Sequence, residues 1–302
     1  MTVNTIRKAA SSLIILALLQ FCSAPTLIAK EATRVKVVVT IEPLAVFVRG
    51  VAADTADIIV LVPPGADPHT YEPRPGQLRE LSRADVLVET GAGLDFETAF
   101  VEKVAAVNRK LVVCDSSRGI ELIEPDDEAH SEGDMDHDHH AHAGKDPHIW
   151  LDPVNAIRIT DNIKKALTEA NPDNSDFYEV NTGYFQAELL ELDRELRDML
   201  GPVRGRTFLV VHSAWKYFAR AYGLEEIAIQ HGGKDPTVKG LVDMIKKAEM
   251  TGAKMVFISP QFDPRSAEVI SAETGAKLVV ADPLAEDYFG NLRDMAKKMA
   301  EN

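Results

Sequence analysis

Cysteine is nearly absent from this chain, with two residues among 302. That scarcity excludes a disulfide scaffold and a thiolate metal cluster. Cys22 lies in the N-terminal segment. Cys114 closes the apolar run Lys110-Leu-Val-Val-Cys114 and is expected to be a buried strand residue. Basic residues are also in deficit: Lys and Arg total 33 against 47 Asp and Glu, for a formal net charge of −14. Phosphate recognition needs a basic face, so nucleic acid is excluded as a partner. A solvated acidic surface is the plain reading of the excess, and concentration of cations is the second. Beyond the N-terminal segment no stretch is long and apolar enough for a membrane-spanning helix. A His-Glu-x-x-His helix of the metalloprotease kind is likewise missing.

The N-terminal segment has the layout of an export signal. Arg7 and Lys8 supply the positive start, and Leu13 to Leu19 form a short apolar run. Leu27-Ile28-Ala29 allows cleavage after Ala29, so residues 1–29 are expected to be a cleavable signal peptide and the mature chain to be periplasmic. Losing Arg7 and Lys8 and no acid would take the charge from −14 to −16. Lipid anchoring through Cys22 is disfavoured, because bulky Phe21 stands where such a site needs a small residue.

What is abundant is alternation of short β-branched runs with helical patterns. Strands are expected over residues 34–40, 57–62, 85–89 and 110–114, and again over 207–211, 254–259 and 277–281. Such near-continuous apolar runs suit parallel strands covered by helices on both faces. Between these halves, Phe177, Phe185, Leu189, Leu192, Leu196 and Leu200 recur at helical spacing, and Gly201-Pro202 ends the pattern. The expected fold is α/β: an N-terminal lobe over 30–174, a rigid connecting helix over 175–200, and a C-terminal lobe over 201–302. Both lobes carry mainly parallel sheets. Residues 124–146 are low-complexity and almost devoid of apolar side chains, and are expected to be disordered. They hold His130, His137, His139, His140 and His142 among acids, a composition suited to weak auxiliary metal binding.

Four histidines lie outside that tract. His69 follows the strand 57–62, His212 follows the strand 207–211, and Asp282 follows the strand 277–281. Ligands bind at the carboxyl ends of strands in open parallel sheets, because the loops converge there. His148 sits in Asp146-Pro-His-Ile-Trp-Leu-Asp-Pro153 at the exit of the acidic tract. Two of these residues come from each half, so a metal site in the cleft between lobes is expected. Three imidazoles and one carboxylate match a tetrahedral zinc shell, although imidazole also suits copper, nickel and iron, and carboxylate suits manganese. Each position has a plainer reading. A lone loop histidine usually hydrogen-bonds at the surface, and an Asp before Pro usually forms a turn, which Asp282-Pro283 fits. His231, in Gln230-His-Gly-Gly233, has no strand-end logic and reads as a loop residue.

Taken together, Asp67-Pro-His-Thr-Tyr71, His148-Ile-Trp-Leu-Asp-Pro153 after an acidic His-rich insertion, His212-Ser-Ala-Trp-Lys-Tyr-Phe218, Pro260-Gln-Phe262 and Asp282-Pro-Leu284 resemble the metal-binding, TroA-like cluster of ABC-importer solute-binding proteins. The resemblance covers nearly the whole mature chain. It implies two α/β lobes joined by a rigid helix, with limited closure on binding. It implies His69, His148 and His212 as ligands; relatives fill the fourth position with an aspartate like Asp282, a neighbour of the first histidine or water, and Asp282 is the choice here because Pro68 separates Asp67 from His69. It implies Zn2+ as cargo rather than Mn2+, since His212 stands where manganese members carry a glutamate, with a manganese- or iron-binding member of the same family as the alternative. A membrane permease is the implied partner and a monomer the implied state. The competing class is a zinc hydrolase with Glu72 as the nearest general base; a metal-binding adhesin is a third reading.

Overall fold

The computed structural model describes residues 34–124, 145–230 and 236–301. The expected signal peptide, the five tract histidines and His231 lie outside the described residues. Two four-stranded sheets form, each wholly parallel. The first contains β1 (Val35–Val39), β2 (Ala56–Val60), β3 (Val86–Glu89) and β4 (Val112–Asp115) in the order β2-β1-β3-β4. The second contains β5 (Thr207–Val210), β6 (Glu225–Ala228), β7 (Met255–Ile258) and β8 (Lys277–Val280) in the order β6-β5-β7-β8. The two lobes therefore repeat one winding. In each, the chain leaves its first strand for one neighbour and then crosses to the other side. That crossing opens a crevice at the carboxyl ends of β1 and β3, and another at those of β5 and β7.

The helices cover the sheets. In the first lobe these are α1 (Glu42–Ala52), α2 (Pro75–Leu81), α3 (Asp95–Val107) and α4 (Pro153–Ala170). Then comes α5 (Ser175–Leu200), a helix of 26 residues with the boundaries expected from the leucine spacing. The second lobe adds α6 (Lys216–Tyr222), α7 (Val238–Thr251), α8 (Arg265–Thr274) and α9 (Tyr288–Ala300). Among the described residues no helix is long and apolar enough to cross a membrane.

Helix α5 is more than a spacer. Leu189, Leu192, Leu196 and Leu200 are fully buried, and α5 packs on α1, α4 and α9. Its Phe185 ring lies so close to α1 that a Cβ at Gly50 would meet it at 2.6 Å, so only glycine fits there. The last helix folds back across the molecule: Tyr288 meets Phe47 of α1 edge-on at 5.0 Å, and Phe289 meets Phe185 at 5.6 Å. One continuous core results, running from the first sheet through α1, α4, α5 and α9 to Phe208, Val210 and Phe257 on one face of the second sheet. A smaller cluster, with Leu209, Val211, Ile227, Val256 and Ile270, fills the other face. Burial on this scale, at roughly 25 cal/mol per Å² of apolar surface, ties the lobes together.

Strand β6 was not expected from the sequence. Its two leading glutamates, Glu225 and Glu226, hide a short edge strand whose apolar content is only Ile227 and Ala228.

Candidate metal centre

The crevice is built from turns with a common device. Asp67, Asp146, Asp152, Asp263 and Asp282 each precede a proline, and in each the carboxylate Oδ1 accepts the amide N–H two residues on, at 2.8–3.0 Å. Proline fixes one dihedral of the turn and the carboxylate closes it, so the next side chain is aimed rather than free. Asp67 and Asp146 aim histidines. Asp282 closes the turn at Leu284.

His69 is held after β2 by its Asp67 turn, and Asp67 Oδ2 also accepts from Thr70 Oγ1 at 3.0 Å. The loop is anchored further by Gln77, which accepts from Tyr71 OH at 2.7 Å and donates to Leu61 O at 2.6 Å. His148 is 3% exposed. Its Nδ1 lies 2.9 Å from Asp146 Oδ1. Facing a carboxylate oxygen, Nδ1 carries the proton, which leaves the Nε2 lone pair for the crevice. Asp146 is buried, although it falls in the stretch expected to be disordered. Its amide donates to Ile123 O at 2.9 Å, and its carbonyl accepts from Tyr217 OH at 2.9 Å. Tyr217 OH in turn accepts the amide of Ile123 at 3.0 Å. The two ends of the acidic tract are therefore joined to each other and to α6 of the second lobe.

His212 follows β5 at the switch point of the second sheet. Its ring stacks on Phe262 at 4.4 Å, and its turn is held by Glu226, which accepts from Ser213 Oγ and Trp215 N, both at 2.6 Å. Burial pushes the Glu226 carboxyl up to about 7. Burial, with the neighbouring His148, His69 and Lys216, pushes the His212 imidazole down to about 2, so His212 stays neutral through the physiological range.

The three rings converge. His69 Nε2 and His212 Nε2 are 3.1 Å apart, and the centroids lie 4.8 to 5.6 Å from one another. One ligand atom from each histidine falls within 4.8 Å of the others. Among the described residues they form the one such cluster of potential metal donors. They line a cavity of about 10 Å³ with Pro68, Gln261, Phe262, Pro283 and Leu284, enough for a single ion or water and far too small for an organic solute.

Asp282, expected as a fourth ligand, is not brought into that cluster. Its Oδ1 accepts both Leu284 N at 2.9 Å and Gln261 Nε2 at 2.8 Å. Its turn-forming role, open at the sequence level, is the one the geometry displays. The supporting residues Asp146, Glu226 and Gln261 carried no sequence signal that marked them out, apart from Asp146 standing two residues before a candidate ligand.

The site is braced from both lobes. Trp150 Nε1 donates to Pro283 O at 2.7 Å, Tyr288 OH donates to Trp150 O at 2.8 Å, and Arg220 reaches Glu121 O at 3.3 Å.

Comparison with known proteins agrees with this architecture. A crystal structure of ZnuA superposes with a TM-score of 0.80 at 39% identity, covering 89% of this chain and 98% of that one. A zinc-bound ZnuA deletion mutant superposes at 0.78, also at 39% identity, covering 88% and 97%. The high-affinity zinc uptake system protein ZnuA of Bacillus subtilis is 28% identical over 256 residues, 84% of this chain and 80% of its own length. The zinc-binding protein AdcA of Streptococcus pyogenes is 26% identical over 280 residues, 86% of this chain, and the chain spans about half of that relative, 54%. The family model for ZnuA, the periplasmic component A of a zinc-uptake complex, matches residues 37–302, and the chain belongs to that family.

Proposed function

We propose that this chain is the exported solute-binding subunit of an ABC-type metal importer, capturing Zn2+ between its lobes with His69, His148 and His212 and delivering it to a membrane permease. The observation that carries the reading is the convergence of three imidazoles, with ligand atoms within 4.8 Å, on a cavity of atomic size. Nitrogens on a tetrahedral ion with bonds of ~2.0–2.1 Å stand about 3.3–3.4 Å apart. The His69–His212 separation of 3.1 Å is already close to that spacing, so small ring rotations complete the grip.

The electrostatics suit capture. A ligating imidazole must be neutral, and burial holds His212 neutral in advance. An all-nitrogen donor set favours zinc over manganese, which prefers oxygen. Capture fits better than hydrolysis, because Glu72, the one carboxylate considered as a general base, is exposed. The relatives' names point the same way, to zinc binding and zinc uptake. The five tract histidines are read from composition as a weak collector of ions.

Metal analysis of the purified protein after exposure to equal Zn2+ and Mn2+ tests the reading. One zinc per chain, lost in His212→Ala, is the expected result. Retention of manganese in preference to zinc would overturn the cargo assignment.

A further inference from the structure

The side-chain amide of Gln261 is fixed at one end and unsatisfied at the other. Its Nε2 donates to Asp282 Oδ1 at 2.8 Å. An amide facing a carboxylate oxygen must present its N–H there, since carbonyl against carboxylate would set two acceptors together. The orientation of the amide is thereby settled, and Oε1 is the atom left over. Oε1 is buried and has no hydrogen-bond partner among the described residues. Leaving a buried carbonyl oxygen without a donor is costly, and native proteins seldom do so without a reason. Gln261 also lines the same cavity as His69, His148 and His212.

We propose that Gln261 Oε1 is the acceptor for a water molecule bound to the captured ion, with Asp282 serving as the clamp that aims it. The inference rests on the zinc reading above. Three imidazole nitrogens leave one tetrahedral position to fill. A zinc-bound water is polarised and is a strong donor, which is what an orphaned carbonyl oxygen lacks. Asp282 Oδ1 receives two donors, one closing its own turn and one holding Gln261, and the aspartate is outside the cluster of donor atoms that the three histidines form, so the carboxylate acts one step removed from the ion. Neither the amide oxygen nor the water brings a net charge. The resulting shell is neutral and leaves the ion its full double charge, a weaker hold than a carboxylate ligand would give and one suited to surrendering the cargo.

The test is a crystal structure of the full chain loaded with zinc alone, together with zinc titrations of variants. The expected density is an oxygen bonded to zinc at ~2.0–2.2 Å and lying ~2.6–3.2 Å from Gln261 Oε1. Zinc bonded directly to Asp282 or to Gln261 Oε1, or an oxygen out of reach of Gln261, would overturn the proposal while leaving the three-histidine site intact. Zinc absent from the histidines would overturn both readings together. In solution Gln261→Leu should weaken zinc about tenfold and shift the visible spectrum of the cobalt-substituted protein. Asp282→Asn keeps an acceptor for both donors and should lose no more than Gln261→Leu does. A Gln261→Leu variant with unaltered cobalt spectrum, or an Asp282→Asn variant far weaker than it, would contradict the assignment.

Discussion

The two lobes use the same turn for different ends. In the first, Asp67-Pro-His69 and Asp146-Pro-His148 each aim an imidazole at the crevice. In the second, Asp282-Pro-Leu284 has the same closed turn with no histidine in it, and the carboxylate instead holds Gln261. Even within the first lobe the two copies differ. Asp146 reaches both the amide and the ring nitrogen of its histidine, whereas Asp67 accepts the His69 amide and, with its second oxygen, Thr70 Oγ1. One local motif thus sets the direction of a side chain, and its neighbours decide whether the aspartate supports an imidazole, a loop or a glutamine amide.

The sharpest way to break this comparison is to remove one of the proposed ligands. His148→Ala or His212→Ala should weaken zinc a hundredfold or more, if each donor carries about a quarter of ~10–16 kcal/mol of zinc binding; calorimetry measures it. Next is the contrast between the two aspartates. Asp146→Ala removes the partner of the His148 ring and should weaken zinc by ~10–100-fold, whereas Asp67→Ala, which opens the turn before His69, should cost a few-fold at most. Equal effects would show that the ring contact contributes nothing beyond the turn.

A smaller effect separates support from binding by pH. Burial, with Glu97 and Asp115 nearby, pushes Glu89 from its ordinary 4.5 up to about 7. Because the folded value is the higher one, the stability this group retains below about pH 4.5 is lost as pH rises through 7. Glu89→Gln should therefore stabilise the fold above pH 7 by about 1–2 kcal/mol after solvent screening and change little below pH 4.5, as urea unfolding at the two pH values would reveal. The lowered His212 runs the other way. Stability present above about pH 6.5 should drain away as pH falls toward 2.

Much of this architecture was legible in the residues. The leucine spacing marked α5 to its ends, and the β-branched runs marked seven strands, because burial on both faces leaves an unbroken apolar signature. The three histidines were findable because strand ends and a short Pro-containing turn locate them. Residues that aim those histidines were not. Asp146 reads in the sequence as the tail of a solvated acidic tract, whereas in the fold Ile123 and Tyr217 hold it. Glu226 serves the His212 turn from the neighbouring edge strand, and Gln261 is oriented by an aspartate 21 residues away, contacts that sequence periodicity does not encode.

The most direct measurement is calorimetric titration of zinc into metal-free protein from which residues 126–145 have been deleted. A single tight site per chain, abolished by the further change His69→Ala, is the expected result, because the crevice histidines bind independently of the tract. Loss of tight zinc binding on deletion alone would mean that the crevice is not where the ion is held.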